Sequence, residues 1–319
     1  MTDLNSISIA IPVFNESAVL PTLVQRLRAA LSGLDIDEQQ VVIVDDGSTD
    51  DTADQLREIV SGDPRFEAVI LSRNFGHQAA LSAALDRVTG EVIIVMDADL
   101  QDDPDAIPGM LEKYRDGYDV VYAVRRSRRG GFWLRLAYRS FYRIVSAVSD
   151  TTLPVDAGDF GLMSNRVVQA IRASPERQRY LRGLRAWVGF RQYGMEIDRV
   201  ERLAGESKYN ASKLAKLALD GIFAFSTVPL RLATVLGGLA VAIAIAWATY
   251  VVYAKLFLDR SPQGFSSVII TIVFMSGANL FFLGVIGEYV GRTYEESKGR
   301  PLYVVDEVVT HDPPNPTRD

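Results

Sequence analysis

Val92–Pro104 reads VIIVMDADLQDDP. Val92 to Met96 form an unbroken apolar run, as in strands buried on both faces of a parallel sheet, and the run stops at carboxylates. Ligands of open α/β sheets bind at that end of the strands. Asp97 and Asp99 flank Ala98, so one carboxylate can turn toward a ligand while the next-but-one reaches a shared divalent ion, with Gln101 and Asp102 close behind. Hard oxygen donors with no His or Cys beside them in sequence favour Mg²⁺ or Mn²⁺ over zinc. A plainer use exists for the same acids, because Asp103-Pro104-Asp105 would cap a following helix.

Upstream, the same pattern repeats. Ser6–Val13 reads as a strand that ends in Pro12-Val13-Phe14-Asn15-Glu16, after which Leu20, Leu23, Leu27 and Leu31 recur at helical spacing. Gln40–Val44 is a second apolar run, followed by Asp45-Asp46-Gly47-Ser48-Thr49-Asp50, where Ser48 or Asp50 suits the cap of the next helix. Phe66–Leu71 leads into Ser72-Arg73-Asn74-Phe75-Gly76-His77 and an Ala-rich helix to Val88. Strands alternating with helices at this spacing predict an α/β fold with right-handed crossovers and a doubly wound, mostly parallel sheet. Such a sheet delivers Asn15/Glu16, Asp46, Arg73/Asn74 and Asp97/Asp99 to one edge. Carboxylates gathered from several strand ends suit a sugar or ribose and a metal held against a diphosphate. Neither GxGxxG nor GxxxxGK[ST] follows the first strand, so a metal bridge from Asp99 has to take the place of a glycine-rich phosphate loop.

Composition narrows the function further. A formal net charge of −6 over 319 residues argues against nucleic-acid binding as the main task. The absence of cysteine removes disulfide and thiolate chemistry, and His77 and His311 are too few for a histidine-rich metal site. The N-terminal stretch lacks a basic segment followed by a long apolar core, so no cleaved signal peptide is expected and the first domain should stay in the cytoplasm.

The ordered segments PVFNES, VDDGSTDDT, SRNFGHQAAL and DADLQDDP resemble those of the family 2 inverting glycosyltransferases. With the later features, from about residue 6 to 300, the chain is most similar to the polyprenyl-phosphate glycosyltransferases of GT-A fold, and within them to the bacterial undecaprenyl-phosphate glucosyltransferases. The resemblance implies that Pro12, Phe14, Glu16, Val44 and Asp46 hold the nucleotide base and ribose. It implies further that Asp97, Ala98, Asp99 and Gln101 bind Mg²⁺ or Mn²⁺ and diphosphate, with Asp97, Asp99 and Gln101 on the metal. Arg125 would meet a phosphate, a role that suits a guanidinium's two-pronged donor geometry. Arg202 and Lys208, in RLAGESKY, fall where cations of the group close over the donor and acceptor phosphates. Asp156 and Asp159 fall where a carboxylate serves the acceptor. A phosphate monoester with a second pKa of about 6 is already mostly ionised, so orientation matters there more than deprotonation.

The remaining segments point to a bilayer. Gly130–Ser149 is rich in aromatic residues and sets Arg135, Arg139 and Arg143 on one helix face, suiting either an anionic membrane surface or docking on the sheet with the arginines in water. Ala211–Ser226 has the pattern of an interfacial helix. Leu232–Ala254 and Phe265–Gly287 each run about 23 residues without a charge, or roughly 34 Å as helix, enough to cross a bilayer's hydrocarbon core. Cations crowd the outer flanks of this hairpin, which puts the catalytic domain and both termini in the cytoplasm by the positive-inside rule. The expected organisation is a catalytic domain over 1–209, an interfacial helix over 210–230, two spans within 231–290 and a tail over 291–319, disordered from His311. The expected partners are a nucleotide-sugar, UDP-glucose first among them, a polyprenyl phosphate, the inner or plasma membrane, and further copies of the chain. UDP-GlcNAc, galactose or GDP-mannose donors stay open. The rival reading is a processive polysaccharide synthase, whose Gln-x-x-Arg-Trp is not matched by the spacing of Gln178, Leu181 and Arg185-Ala186-Trp187.

Overall fold

The computed structural model describes residues 4–125, 157–174, 176, 179–197, 228–258 and 264–311, with the side chain of Arg125 outside the description. The described residues up to 197 and from Arg300 onward form one compact unit, and those from 228 to Gly299 form another.

The first unit is built on an eight-stranded sheet. Its strands are β1 (Ser6–Val13), β2 (Glu38–Asp45), β3 (Phe66–Leu71), β4 (Val92–Val95), β5 (Val120–Arg125), β6 (Ala157–Ser164), β7 (Gln192–Ile197) and β8 (Val305–Val309), in the spatial order β7-β5-β6-β4-β1-β2-β3-β8. The four strands expected from the apolar runs are mutually parallel neighbours, with Ala10 opposite both Val42 and Val95. The rest makes the sheet mixed, because β6 runs antiparallel between β4 and β5, and β8 antiparallel along β3.

Period-two alternation sorts the apolar residues onto two faces. Ile9, Ile11, Val41 and Ile43 face α1 (Leu20–Ser32), α2 (Thr52–Gly62) and, beyond the 3₁₀ turn Pro104–Ala106, α4 (Ile107–Arg115), meeting Leu23, Leu27, Leu56 and Met110. Ala10, Val42, Val44, Ile93 and Val95 face α3 (His77–Arg87), α5 (Asn165–Ala173) and α6 (Leu181–Trp187). Fully burying a leucine such as Leu27 stabilises by about 1.5–3 kcal/mol, so the two cores account for much of the fold's cohesion.

The winding determines where ligands can go. The chain travels from β1 to β2 and β3 with α1 and α2 on one face, then crosses back by α3 on the other face to β4, on the far side of β1. The strand order therefore reverses between β1 and β4, which opens a crevice at the C-terminal ends of those strands. Because β6 is antiparallel, with Gly161 opposite Val95, its start carries Asp159 to that same edge.

β8 lies in a stretch to which the sequence reading assigns no element. Its edge position is fastened by Ser72 N–H donating to the Val304 carbonyl, by Arg57 to Glu307 and by the Tyr303 hydroxyl to Asp86. Among the described residues the second unit holds α7 (Val228–Leu258) and α8 (Phe265–Ser297). Ala233–Ala254 and Thr271–Ser297 have mean hydropathies of 2.2 and 1.5, and none of either stretch's most apolar window is buried, so they are candidate membrane spans and not core helices.

Candidate active site

At the β1/β4 crevice lies a cavity of about 450 Å³. Pro12, Phe14 and Glu16 line it from the end of β1, Asp46 from β2, Asn74, Gly76 and His77 from the β3–α3 loop, and Asp97, Ala98 and Asp99 from β4.

Hydrogen bonds between loops hold the rim. Asn15, with φ of 54°, donates its amide to Ser48 Oγ and accepts from the Thr49 amide, while Glu16 and Ser17 amides donate to Thr52 and Asp50. Asp46 accepts from the amides of Phe75 and Gly76 at 2.7 and 2.9 Å. Burial pushes the Asp46 carboxyl up despite those two amides, and the side chain ties β2 to the β3–α3 loop as well as lining the cavity. Gly47, at φ 67°, lets the two loops touch: a Cβ there would sit 2.4 Å from the Arg73 carbonyl carbon.

Asp97 is the most perturbed acid of the group. Burial, followed by the nearby Asp102 carboxylate, pushes it up to about 6, with His77 opposing. Its Oδ1 is buried and has no hydrogen-bond partner among the described residues; His77 Nε2 stands 3.6 Å away. Around it the backbone is pinned, since Asp97 N–H donates to Asp102, Gln101 N–H donates to Asp99, and Leu100 is held at φ 58°. An orphaned buried carboxylate oxygen beside a second carboxylate in one cavity is a donor set that fits a hard divalent cation such as Mg²⁺ or Mn²⁺. Asp97 and Asp99 would hold that cation, and when bound it supplies positive charge to a diphosphate.

His77, Asp97 and Asp159 also offer ligand atoms within 4.8 Å of one another. Asp159, however, is already gripped by Arg182, with Nε and Nη2 at 2.6 Å from its two oxygens. Burial raises the Asp159 carboxyl, but the Arg182 pairing outweighs it and holds the group below the usual carboxylate range. A cation bound to Asp159 would compete with a guanidinium. The Asp97 oxygen that lacks a partner faces no such competition.

Of the expected residues, Pro12, Phe14, Glu16, Asp46, Asp97, Ala98 and Asp99 come together in the cavity. Gln101 and Val44 do not line it: Gln101 meets Asp99 through its backbone, and Val44 is fully buried in the core beneath. Arg125 ends β5 at the same edge by its backbone. Asp156, Arg202 and Lys208, like the segments 130–149 and 211–226, lie outside the described residues. The sequence reading gives no role to His77, Arg182 or Arg185. Arg182 sits 23 residues from its partner Asp159, and nothing in the local pattern links them.

The mixed sheet with an acid-lined crevice at its switch point is a GT-A-like arrangement. Residues 8–172 match the model of glycosyl transferase family 2. The chain is 43% identical to an uncharacterized glycosyltransferase of Synechocystis, covering 95% of each. It is 37% identical to the prophage bactoprenol glucosyl transferase homolog of Escherichia coli K12, over 95% of this chain and 99% of that one. It is likewise 37% identical to the bactoprenol glucosyl transferase of Shigella phage SfV, over 94% and 97%. The chain belongs to glycosyl transferase family 2 and is a glycosyltransferase enzyme.

Proposed function

We propose that this enzyme transfers one sugar, glucose from UDP-glucose, to the phosphate of a polyprenol such as undecaprenyl phosphate, at the cytoplasmic face of the membrane and with inversion. The observation that carries this reading is that one chain holds both an acid-lined donor cavity and two apolar helices long enough to cross a bilayer. The names of the bactoprenol glucosyl transferases it resembles support the acceptor and the sugar.

In this reading the base and ribose lie against Pro12, Phe14, Glu16 and Asp46. Asp97 and Asp99 hold the cation, and Gln101 steadies Asp99 through its backbone amide. Arg125, Arg202 and Lys208 offset the charge of the two phosphate-bearing substrates, and Asp156 and Asp159 stand on the acceptor side. An oxygen of the lipid phosphate attacks the anomeric carbon from the face opposite the nucleotide; the new C–O bond forms as the bond to the diphosphate breaks, and the nucleotide diphosphate leaves. The acceptor is mostly dianionic above pH of about 6, so its attacking oxygen needs no base. Asp159, held ionised and low by Arg182, is suited to orientation and poorly suited to taking a proton. Residues 1–209 form the catalytic domain, 210–230 lie along the membrane surface, and the two spans anchor a homo-oligomer with both termini in the cytoplasm.

The test is to incubate membranes holding the protein with undecaprenyl phosphate, Mn²⁺ and, one at a time, labelled UDP-glucose, UDP-GlcNAc, UDP-galactose and GDP-mannose, then to extract lipid. A lipid carrying a single hexose, formed best from UDP-glucose, supports the proposal. A polymer, or label in no lipid, overturns it.

A further inference from the structure

The mechanism above uses Arg182 only to hold the charge of Asp159 and gives no task to its neighbour Arg185 or to His77. Arg182, near the start of α6, binds both oxygens of Asp159, and one turn on, Arg185 donates to the Gly158 carbonyl at 3.2 Å. Arg185 is 5% exposed, lies over the Tyr122 ring at 5.0 Å and has a buried Nε with no hydrogen-bond partner among the described residues. Two arginines from one short helix thus grip the start of β6, at a cost in desolvation that a plain apolar contact would avoid. From the other side, Asp159 Oδ2 stands 3.9 Å from His77 Nε2, beyond hydrogen-bond reach and close enough for the carboxylate's charge to act on the ring. The segment carrying His77 is itself tied to the same helix, since the Leu181 amide donates to Gln78 Oε1 at 2.9 Å. Among the residues that line the cavity, His77 is the one whose side chain can carry a positive charge, and it stands between the carboxylates of Asp97 and Asp159.

We infer that Arg182 is a positioning residue for the transfer: by fixing Asp159 and neutralising its charge, it sets the place of the His77 imidazole, which serves as a hydrogen-bond donor to a phosphate oxygen of the bound substrates. Without Arg182, the buried Asp159 carboxylate would lose its two-toothed partner and keep only Arg185 and His77 near it, and both its repulsion of a diphosphate and its pull on the imidazole would change. The geometry sets the placement, and only the identity of the phosphate-bearing ligand rests on the proposed transfer reaction.

Two readouts test this on the full-length protein. The chain has two histidines, so the ring signals of His77 are separable from those of His311 in an NMR spectrum of ¹⁵N-histidine-labelled protein, with His311→Gln as the assignment control. In folded Arg182→Gln the His77 ring signals should move while those of His311 stay, with no substrate present. In transfer assays the same variant should lose between about 10- and 100-fold in kcat, with donor KM changed less than about threefold. Arg182→Lys, which keeps the charge and loses the fork, should fall between. The double variant His77→Gln/Arg182→Gln should lose no more than the worse single variant, because both act through one chain of contacts. Arg166→Gln, which breaks a comparable two-toothed pair with Asp119 away from the cavity, should keep full kcat. Unmoved His77 signals in a folded variant, or losses that multiply in the double variant, would overturn the inference. If Arg182→Gln does not fold, Arg182→Lys carries the same two readings. Absence of transfer by the wild type would count against the proposed function, while the ring signals would still decide the positioning role.

Discussion

Asp97 Oδ1 ends 3.6 Å from His77 Nε2, beyond hydrogen-bond reach, and it is the buried carboxylate oxygen of the cavity that no described donor satisfies. A carboxylate held in that condition is set up to receive a cation. Asp97→Asn and Asp99→Asn should each lower transfer by at least about 100-fold, on the order of 3 kcal/mol of lost transition-state stabilisation. The melting temperature without metal should stay at or above the wild-type value for Asp97→Asn, because removing a buried charge removes its desolvation cost. Activity assays together with thermal melts in EDTA check both halves.

The contact between the β2–α2 and β3–α3 loops predicts a second sensitive position. Gly47→Ala would place a Cβ 2.4 Å from the Arg73 carbonyl carbon and force a left-handed backbone on alanine. The expected cost is about 2 kcal/mol or more, combining the backbone term with displaced loops. Chemical denaturation should show it, and donor KM should rise because Asn74, Gly76 and His77 shift with the loop.

Stability should fall in acid for a reason remote from the site. Asp63 is held down to about 2, first by the Arg65 side chain and then, against burial, by the Arg65 amide and Arg28. Its folded pKa lies below the ordinary 3.8, so the stabilisation is present above about pH 4 and disappears as pH falls through 2. Discounting for partly exposed arginines, Asp63→Asn should cost about 1–2 kcal/mol at pH 7, fading through pH 2 and gone only toward about pH 1. Melting curves across that window for variant and wild type decide it.

The front of the fold was legible because buried parallel strands write themselves as apolar runs. Ser6–Val13 and Phe66–Leu71 match their observed bounds, and Asp46 and Asp97, just past the ends of β2 and β4, line the cavity. The later strands carry no such signal. β6 reads AGDFGLMS, in which glycines replace bulk where β5 approaches: a Cβ on Gly161 would lie 2.6 Å from the Val121 carbonyl oxygen. β8 reads VDEVV, an edge strand half in solvent and distant in sequence from its partner β3. Long-range pairings such as Arg182 with Asp159 depend on that topology, which is why the acid was recognisable in the sequence and its partner was not.

β8 also predicts what truncation does. A chain cut at residue 299 loses the β8 strand, its Arg57–Glu307 pair and the Tyr303–Asp86 bond, and leaves the edge of β3 bare. An exposed edge of that kind pairs with other chains. Proteolysis and light scattering should show the shortened protein to be more labile and more prone to aggregate than one cut at residue 311, which keeps the strand.

The most direct measurement of the central claim is lipid-linked product made by wild type and by Asp97→Asn in the same membranes, supplied with labelled UDP-glucose, Mn²⁺ and undecaprenyl phosphate. The wild type should give one labelled hexose per lipid, and the folded variant at most about 1% of that rate. Equal labelling by the two would contradict the claim, because the transfer would then owe nothing to the carboxylate on which the cavity is centred.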